Sequence, residues 1–300
     1  RAGRYRQTAD CHDQGAMDEL RIGNPQDPAN DIGPVIDAEA RAGIIAHCAN
    51  MERQGRVLHR LKLPAEAAKG TFVAPHLIQL DRVSDLKREI FGPVLHVVTF
   101  KARDIDRIVD DINATGYGLT FGVQSRIDAR VDRICTRIHA GNIYVNRNQI
   151  GAVVGVQPFG GDGLSGTGPK AGGPLYVRRL AVLPGEAQTP NAGATELQGP
   201  TGERNTYILS PRTAVLCLGP DTSAQVARVT ALGAKAIVLD PAKADFAARA
   251  EASGASLALH GFVDEGPLRA IRNALAARIG RRIVLEWADC PAERLLVEKL

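Results

Sequence analysis

The chain has 300 residues, 44% apolar and 23% charged, which is the usage of a packed globular protein with room for one large domain or two ordinary ones. A formal charge of +4, with no lysine-rich tail and no basic row interleaved with aromatics, argues against nucleic-acid binding by this segment. No apolar run is long enough for a membrane span, and the first residues lack signal-peptide organisation, so a cytoplasmic protein without a membrane partner is expected.

Cys11, Cys48, Cys135, Cys217 and Cys290 are odd in number and contain no C-x-x-C pair, which excludes a disulfide framework and a structural zinc site as leading readings. Cys48 and Cys135 fall on apolar helical stripes and read as small buried hydrophobes. The chain opens without methionine at Arg1-Ala2-Gly3, and Leu295 to Leu300 reads as an element still in progress. A segment of a longer protein is expected.

A short helix-like run from Gly15 to Leu20 ends at the loop Gly23 to Pro28. Asp37 is placed to cap the next helix, whose Ile44, Ile45, Cys48 and Met51 share one face. Phe72 to Ala74, before Pro75, and Val94 to Val98, after Pro93, are predicted strands. Two amphipathic helices follow, one on Ile105, Ile108, Val109 and Ile112, the other on Ile127, Val131, Ile134, Cys135 and Ile138. Between and after them, Gly118 to Val123 and Gly141 to Val145 read as strands, which is the rhythm of an α/β domain with mostly parallel pairing.

From Asn146 to Pro174 glycine takes over, marking either simple surface turns or places where the main chain closely approaches something. Tyr176 to Leu183 then reads as a short edge strand, and Gly185 to about Gly202, poor in apolar residues, as a linker. The α/β rhythm resumes with Thr213 to Leu218 as a strand, Val226, Val229 and Leu232 on a helix, and Ala236 to Leu239 as a strand. Leu268, Ile271, Leu275 and Ile279 form another helix before a strand from Arg281 to Trp287, giving a second, doubly wound unit. In it, Leu218-Gly219-Pro220 occupies the strand-to-helix turn where a dinucleotide phosphate binds in such folds, and Asp240 closes the next strand as a ribose-binding acid does. The glycine fingerprint G-x-G-x-x-G is absent, and a strand-end acid is also common without a ligand.

These patterns name no reaction. The segment Lys87-Arg88-Glu89-Ile90-Phe91-Gly92-Pro93-Val94 resembles a signature of the aldehyde dehydrogenase superfamily. Val145 to Gly161, followed by Ser165-Gly166-Thr167-Gly168-Pro169-Lys170-Ala171-Gly172-Gly173-Pro174, is similar to the L-glutamate γ-semialdehyde (1-pyrroline-5-carboxylate) dehydrogenases, in the bacterial form fused behind a proline dehydrogenase. The resemblance covers roughly Gly15 to Pro184, and Thr213 onward resembles the extra C-terminal domain of the longer fused enzymes.

The resemblance implies the following organisation: residues 1–14 an aberrant or mis-sequenced start, 15–174 a partial aldehyde dehydrogenase catalytic domain, 175–184 an edge or oligomerisation strand, 185–204 a linker, and 205–300 a smaller, truncated Rossmann-like α/β domain. It implies that Glu89 hydrogen-bonds the nicotinamide ribose of NAD and that Phe91 packs near the nicotinamide. A carboxylate is the natural acceptor for a pair of hydroxyls. It further implies that Gly151 and Ala152 anchor the substrate carboxylate through backbone N–H groups, with Phe159 walling the aliphatic part and Asn146 and Gln149 supporting the loop. Small residues suit a loop that presents several N–H donors to an anion.

The implied activity is oxidation of the semialdehyde to L-glutamate through a cysteine thiolate and a glutamate base. Neither has a match in this sequence, because Cys11 in Ala9-Asp10-Cys11-His12-Asp13 lacks the surroundings of the nucleophile; no catalytic residue is assigned, and the polypeptide by itself is expected to be inactive. FAD belongs to the absent proline dehydrogenase half, and the full-length protein is expected to be a homodimer or higher homo-oligomer. Two alternatives stay open: an aldehyde dehydrogenase of other specificity, and a non-catalytic module for oligomerisation or for covering a tunnel between active sites.

Overall fold

Asp37 opens the first long helix as its position predicts, its carboxylate accepting the Ala40 N–H at 2.7 Å and so satisfying an otherwise orphan donor of the first turn. The computed structural model describes residues 11–180, 192–278 and 282–300. The chain forms two compact units, Arg1–Asp111 and Ile112–Leu300. The division falls inside the span 15–174 expected from the sequence to be one catalytic domain.

In the first unit, helix α1 runs through residues 11–18 and α2 spans Ala38–Arg53. Ile44, Cys48 and Met51 of α2 are buried, at a spacing of four and then three that keeps them on one stripe. Ile45, grouped with them in the sequence reading, is 41% exposed because it lies one residue round the helix from that stripe. The stripe packs on a three-stranded sheet, β1 (Val57–Arg60), β2 (His76–Leu80) and β3 (Val94–Val98), in the order β1-β2-β3. β1 and β2 are antiparallel, whereas β2 and β3 run parallel from His76↔Val94 to Leu80↔Val98.

The strand expected at Phe72 to Ala74 is not one: pairing begins at His76, past Pro75, which has no N–H to give a ladder. Val73 is nonetheless buried in the core. On the same unit His47 of α2 and His96 of β3 bring their Nε2 atoms to 2.9 Å. Burial and then the charge of His47 push His96 down to about 4, and burial, then Arg88 and His76, lower His47.

In the second unit α3 (Ile105–Ala114), which crosses the division, is followed by two small sheets. β4 (Tyr117–Gly118) pairs antiparallel with β7 (Asp162–Gly163), and β5 (Thr120–Val123) pairs parallel with β6 (Asn142–Val145) after the crossover helix α4 (Asp128–Arg137). The single strand expected from Gly118 to Val123 is therefore two pieces, broken at Leu119.

Tyr176–Leu180, read as an edge strand, is instead the short helix α5. Pro174 lies in the turn that leads into it, closed by Tyr176 N–H to Gly173 O at 3.1 Å, and Arg179 donates its N–H to Leu175 O at 3.2 Å. Its Tyr, Arg and Leu residues have no strict alternation to hold them in a sheet. Residues 181–184 of that expected strand lie outside the described residues. The expected linker, 185–204, contains β8 (Gly193–Leu197), which pairs antiparallel with β9 (Asn205–Pro211). β9 also pairs with β14 (Leu296–Lys299), completing the order β14-β9-β8.

The remaining sheet is entirely parallel, in the order β11-β10-β12-β13, from β10 (Ala214–Leu218), β11 (Lys235–Leu239), β12 (Leu257–His260) and β13 (Val284–Trp287). Every residue of β10 is buried, as its unbroken apolar run requires of a central parallel strand. Its period of two divides it between two cores: Ala214, Leu216 and Leu218 face α7 (Phe246–Ala252) and α8 (Glu265–Ala276), while Val215 and Cys217 pack with Val229 of α6 (Thr222–Ala231) and with Leu295. Leu268, Ile271 and Leu275 of α8 are buried as their spacing predicts; Ile279 lies outside the described residues.

Two measurements test this packing. Leu216→Ala is expected to lower the free energy of unfolding by about 2–5 kcal/mol in urea titrations, and a loss well under ~1 kcal/mol contradicts a two-faced core. The second concerns the histidine pair. Unfolded imidazoles bind protons more readily than this pair, so its contribution is complete above about pH 6.5 and is lost as pH falls toward 4. The melting temperature should drop between about pH 7 and about pH 4.5, and His96→Gln should flatten that slope. An unchanged slope in His96→Gln rules out the pair as its source.

Candidate functional site

The loop carrying Glu89 and Phe91 enters β3 through a tight turn, in which Gly92 N donates to Ile90 O and Val94 N to Gly92 O. Ile90 packs partly buried against the core of the first unit, which pins the loop and turns its neighbours outward. Gly92 is required by close approach: a Cβ there would stand 2.5 Å from Ile44 Cδ1 of α2. The result is an open cavity of about 390 Å³, lined among others by Asp37, Ala40, Gly43, Arg88, Glu89 and Phe91.

Glu89 is exposed and its carboxylate has no hydrogen-bond or ion-pair partner among the described residues, so both oxygens are free to accept donors from a ligand. Phe91 is 83% exposed and lines the same cavity. Both sequence-predicted cofactor residues thus share one cavity. Gly151, Ala152 and Phe159 belong to the second unit.

There, Gly151 takes φ +68°, a left-handed conformation that glycine reaches without strain. Ile150 N is capped by Asn148 Oδ1 at 3.2 Å, and Val153 N by the side-chain oxygen of Gln157 at 2.8 Å. Between them the N–H groups of Gly151 and Ala152 donate to no acceptor among the described residues. Two successive free donors on a turn braced at both ends are chemically able to receive an anion.

The bracing extends further. Gln157 is buried and donates to Glu203 at 3.2 Å and Asn205 at 3.1 Å, and Glu203 also holds Arg147 at 2.9 Å. Asn146, expected to support the loop, bonds Ser125 through both ends of its amide, at 2.9 and 3.0 Å, and Gln149 sits against Gly122. Both residues brace β5 and the turn after it, adjacent to the loop.

Phe159 exchanges two backbone hydrogen bonds with Ala171, at 3.0 and 2.8 Å, which closes the glycine-rich run into a loop. Inside this loop lies a residue that the sequence reading did not single out. Lys170 is 2% exposed, and its ammonium donates to Asn142 Oδ1 at 2.9 Å and Gly160 O at 2.6 Å. Burial pushes it down to about 8, opposed by Glu298 and Asp162. Asn142, fully buried, also accepts Gly160 N at 3.1 Å and donates to Pro158 O at 2.9 Å. The one available signal was a lysine standing in a run otherwise made of Gly, Pro, Ser, Thr and Ala.

Cys11 is exposed on α1. The thiols of Cys48, Cys135, Cys217 and Cys290 are all pushed up, chiefly by burial, and that of Cys290 reaches about 11. Such thiols are the reverse of an activated nucleophile. Among the described residues no group of three or more His, Cys, Asp or Glu is arranged to hold a metal ion, and no helix is long and apolar enough to cross a membrane.

The model of the aldehyde dehydrogenase family matches residues 13–181, and the chain belongs to that family. The Bifunctional protein PutA of Escherichia coli is 39% identical across 96% of this chain, and the chain spans 27% of that protein's length. The 1-pyrroline-5-carboxylate dehydrogenase of Geobacillus kaustophilus is 40% identical over 53% of the chain, which corresponds to 30% of that enzyme. A crystal structure of Bradyrhizobium japonicum Proline Utilization A (PutA) superposes with a TM-score of 0.52 at 53% identity, covering 55% of this chain and 17% of that one. The mixed α/β architecture is that of an aldehyde dehydrogenase catalytic domain joined to a smaller α/β portion.

Asn142→Ala would leave the Lys170 ammonium with one acceptor and Gly160 N with none. Thermal and urea unfolding should report a loss of about 2–3 kcal/mol, with Asn142→Asp largely restoring stability. Equal stability of Asn142→Ala and the parent chain would show that the ammonium reaches water instead.

Proposed function

We propose that this chain is part of an NAD-dependent L-glutamate γ-semialdehyde (1-pyrroline-5-carboxylate) dehydrogenase acting in proline breakdown to glutamate, within a PutA-type bifunctional protein. The observation that carries the substrate class is the braced turn with its two free N–H donors at Gly151 and Ala152. They bind the substrate's α-carboxylate, and the Phe159 ring limits the room for its aliphatic chain. The donor set fits NAD at the other cavity, where the unpartnered Glu89 carboxylate accepts the two hydroxyls of the nicotinamide ribose and the exposed Phe91 ring offers a face beside the nicotinamide.

NAD, when bound, supplies the hydride acceptor. What this chain contributes is binding and orientation within each unit: the Glu89 carboxylate holds the ribose, and the backbone nest at Gly151 and Ala152 holds the far end of the aldehyde. The nucleophilic thiolate and the water-activating glutamate come from outside this sequence, and so does the FAD-dependent proline dehydrogenase half. The whole protein is cytoplasmic and self-associates. One observation favours an assembly role alongside: β8 is an edge strand whose residues are nearly all exposed, with one side free of partners among the described residues in the order β14-β9-β8.

The test uses the full-length gene product and NADH absorbance. Glu89→Gln should raise the KM for NAD by roughly tenfold or more while leaving the KM for the semialdehyde nearly unchanged. Ala152→Asp, placing a carboxylate beside the substrate's own, should do the reverse, raising the KM for the semialdehyde by at least about tenfold. If neither variant separates the two constants, the assignment of these two sites is wrong.

A further inference from the structure

The parallel sheet of the second unit holds a crevice that the reading above does not use. In the order β11-β10-β12-β13 the chain winds outward in opposite directions from β10 and β12, so the carboxyl ends of these two strands diverge. Open α/β sheets bind ligands at such a switch point. Here it is a cavity of about 710 Å³, with Gly219 and Pro220 at the end of β10, Asp240 at the end of β11, Phe262 past the end of β12, and Ala270 and Ile271 on α8.

Two features define what fits. Asp240 stands about twenty residues after the Gly219 turn, at the end of the second strand, which is where an acid meets ribose hydroxyls in dinucleotide folds. One of its oxygens accepts the Ala242 N–H at 2.9 Å, which holds the carboxylate at the strand end and leaves the other oxygen for a ligand. The Phe262 ring lies against the turn at Gly219, where a Cβ would stand 2.6 Å from a ring carbon, and gives the crevice an aromatic wall continued by prolines and the apolar side of α8.

The phosphate turn, by contrast, is partly occupied and carries no cation. Gln225, buried, spends its side chain on Leu218 N, Leu218 O and Pro220 O at 3.0, 3.0 and 3.2 Å, and Pro220 has no N–H to offer. Asp221 puts a carboxylate at the entrance to α6, and no lysine or arginine lines the crevice among the described residues. A pyrophosphate there meets the Asp221 carboxylate with no lysine or arginine in the lining to offset it, whereas a neutral ligand with a planar base and a vicinal diol meets no such charge penalty.

We propose that this crevice binds a ribonucleoside, its ribose on Asp240 and its base between Phe262 and α8, and that it disfavours the phosphorylated forms. The site is separate from the cavity at Glu89, and the experiment keeps the two apart. Saturation-transfer NMR on the 300-residue chain, its fold checked by circular dichroism, would use adenosine as probe, with AMP and NAD as competitors. Adenosine should bind, with affinity about tenfold weaker in Asp240→Ala, lost in Ala270→Trp and unchanged in Glu89→Gln. Ala270 is exposed on α8, so the tryptophan fills the crevice without entering the core. The proposal is overturned if the folded chain shows no adenosine signal, if AMP or NAD binds at least as tightly at this site, or if both crevice variants bind as the parent does.

Discussion

A lysine ammonium shut away from water must find its acceptors inside the protein, and much of the second unit is arranged around that demand. In the glycine-rich run from Gly151 to Gly173 none of Val153, Val154, Val156, Phe159 and Leu164 is buried, so the run builds no apolar core of its own. What fixes it is polar: the ammonium of Lys170 joins Asn142 at the start of β6 to Gly160, and the Lys170 N–H reaches Glu298 of β14 at 2.8 Å. Glu298 also accepts the Tyr207 hydroxyl at 2.5 Å, a bond that together with burial holds that phenol protonated far above its usual range. The last residue closes the arrangement, because Leu300 exchanges backbone hydrogen bonds with Gly141 and Ile143 at 3.0 and 2.7 Å. Each of these groups would cost free energy if left alone, so the network holds as a set.

The same network explains why a floppy sequence can present a defined binding loop. Gly141 has no room for a side chain, since a Cβ would stand 1.8 Å from Gly160 O, so the run lies directly on the edge of β6. From that fixed base, Gln157 and Asn148 hold the turn that leaves Gly151 and Ala152 with free N–H groups. Precision at the loop is therefore borrowed from buried polar contacts on β6, β9 and β14. The Glu89 loop solves the same problem in another way, with Ile90 anchored in an apolar core and Gly92 pressed against α2.

The two solutions differ in how they respond to sequence change. An apolar anchor such as Ile90 tolerates a neighbour of similar shape, since its attraction is non-directional. The Lys170 node requires particular acceptors at particular distances, and half of it is worse than none of it. Electrostatics in the first unit follow a third pattern, with Arg56 bridging Asp81 and Asp85 at 3.0 and 3.1 Å and holding the Asp85 carboxyl below its ordinary range.

The sequence alone determined the elements whose signal is periodic or local: the Asp37 cap, the helices of Ile105 and Ile134, the buried run of β10, and the mixed α/β class. Those signals survive because each is written within a turn or two of chain. Tertiary structure decided what depends on partners distant in sequence. Tyr176–Leu180 closed into a helical turn, with Arg179 N–H on Leu175 O, in place of the expected strand. The largely exposed residues of β8 became a strand because β9 offered its edge. Lys170 was buried because Asn142, twenty-eight positions earlier in the chain, could receive its proton donors. No window of sequence contains both members of such a pair, so neither the strand nor the buried ammonium has a local signature.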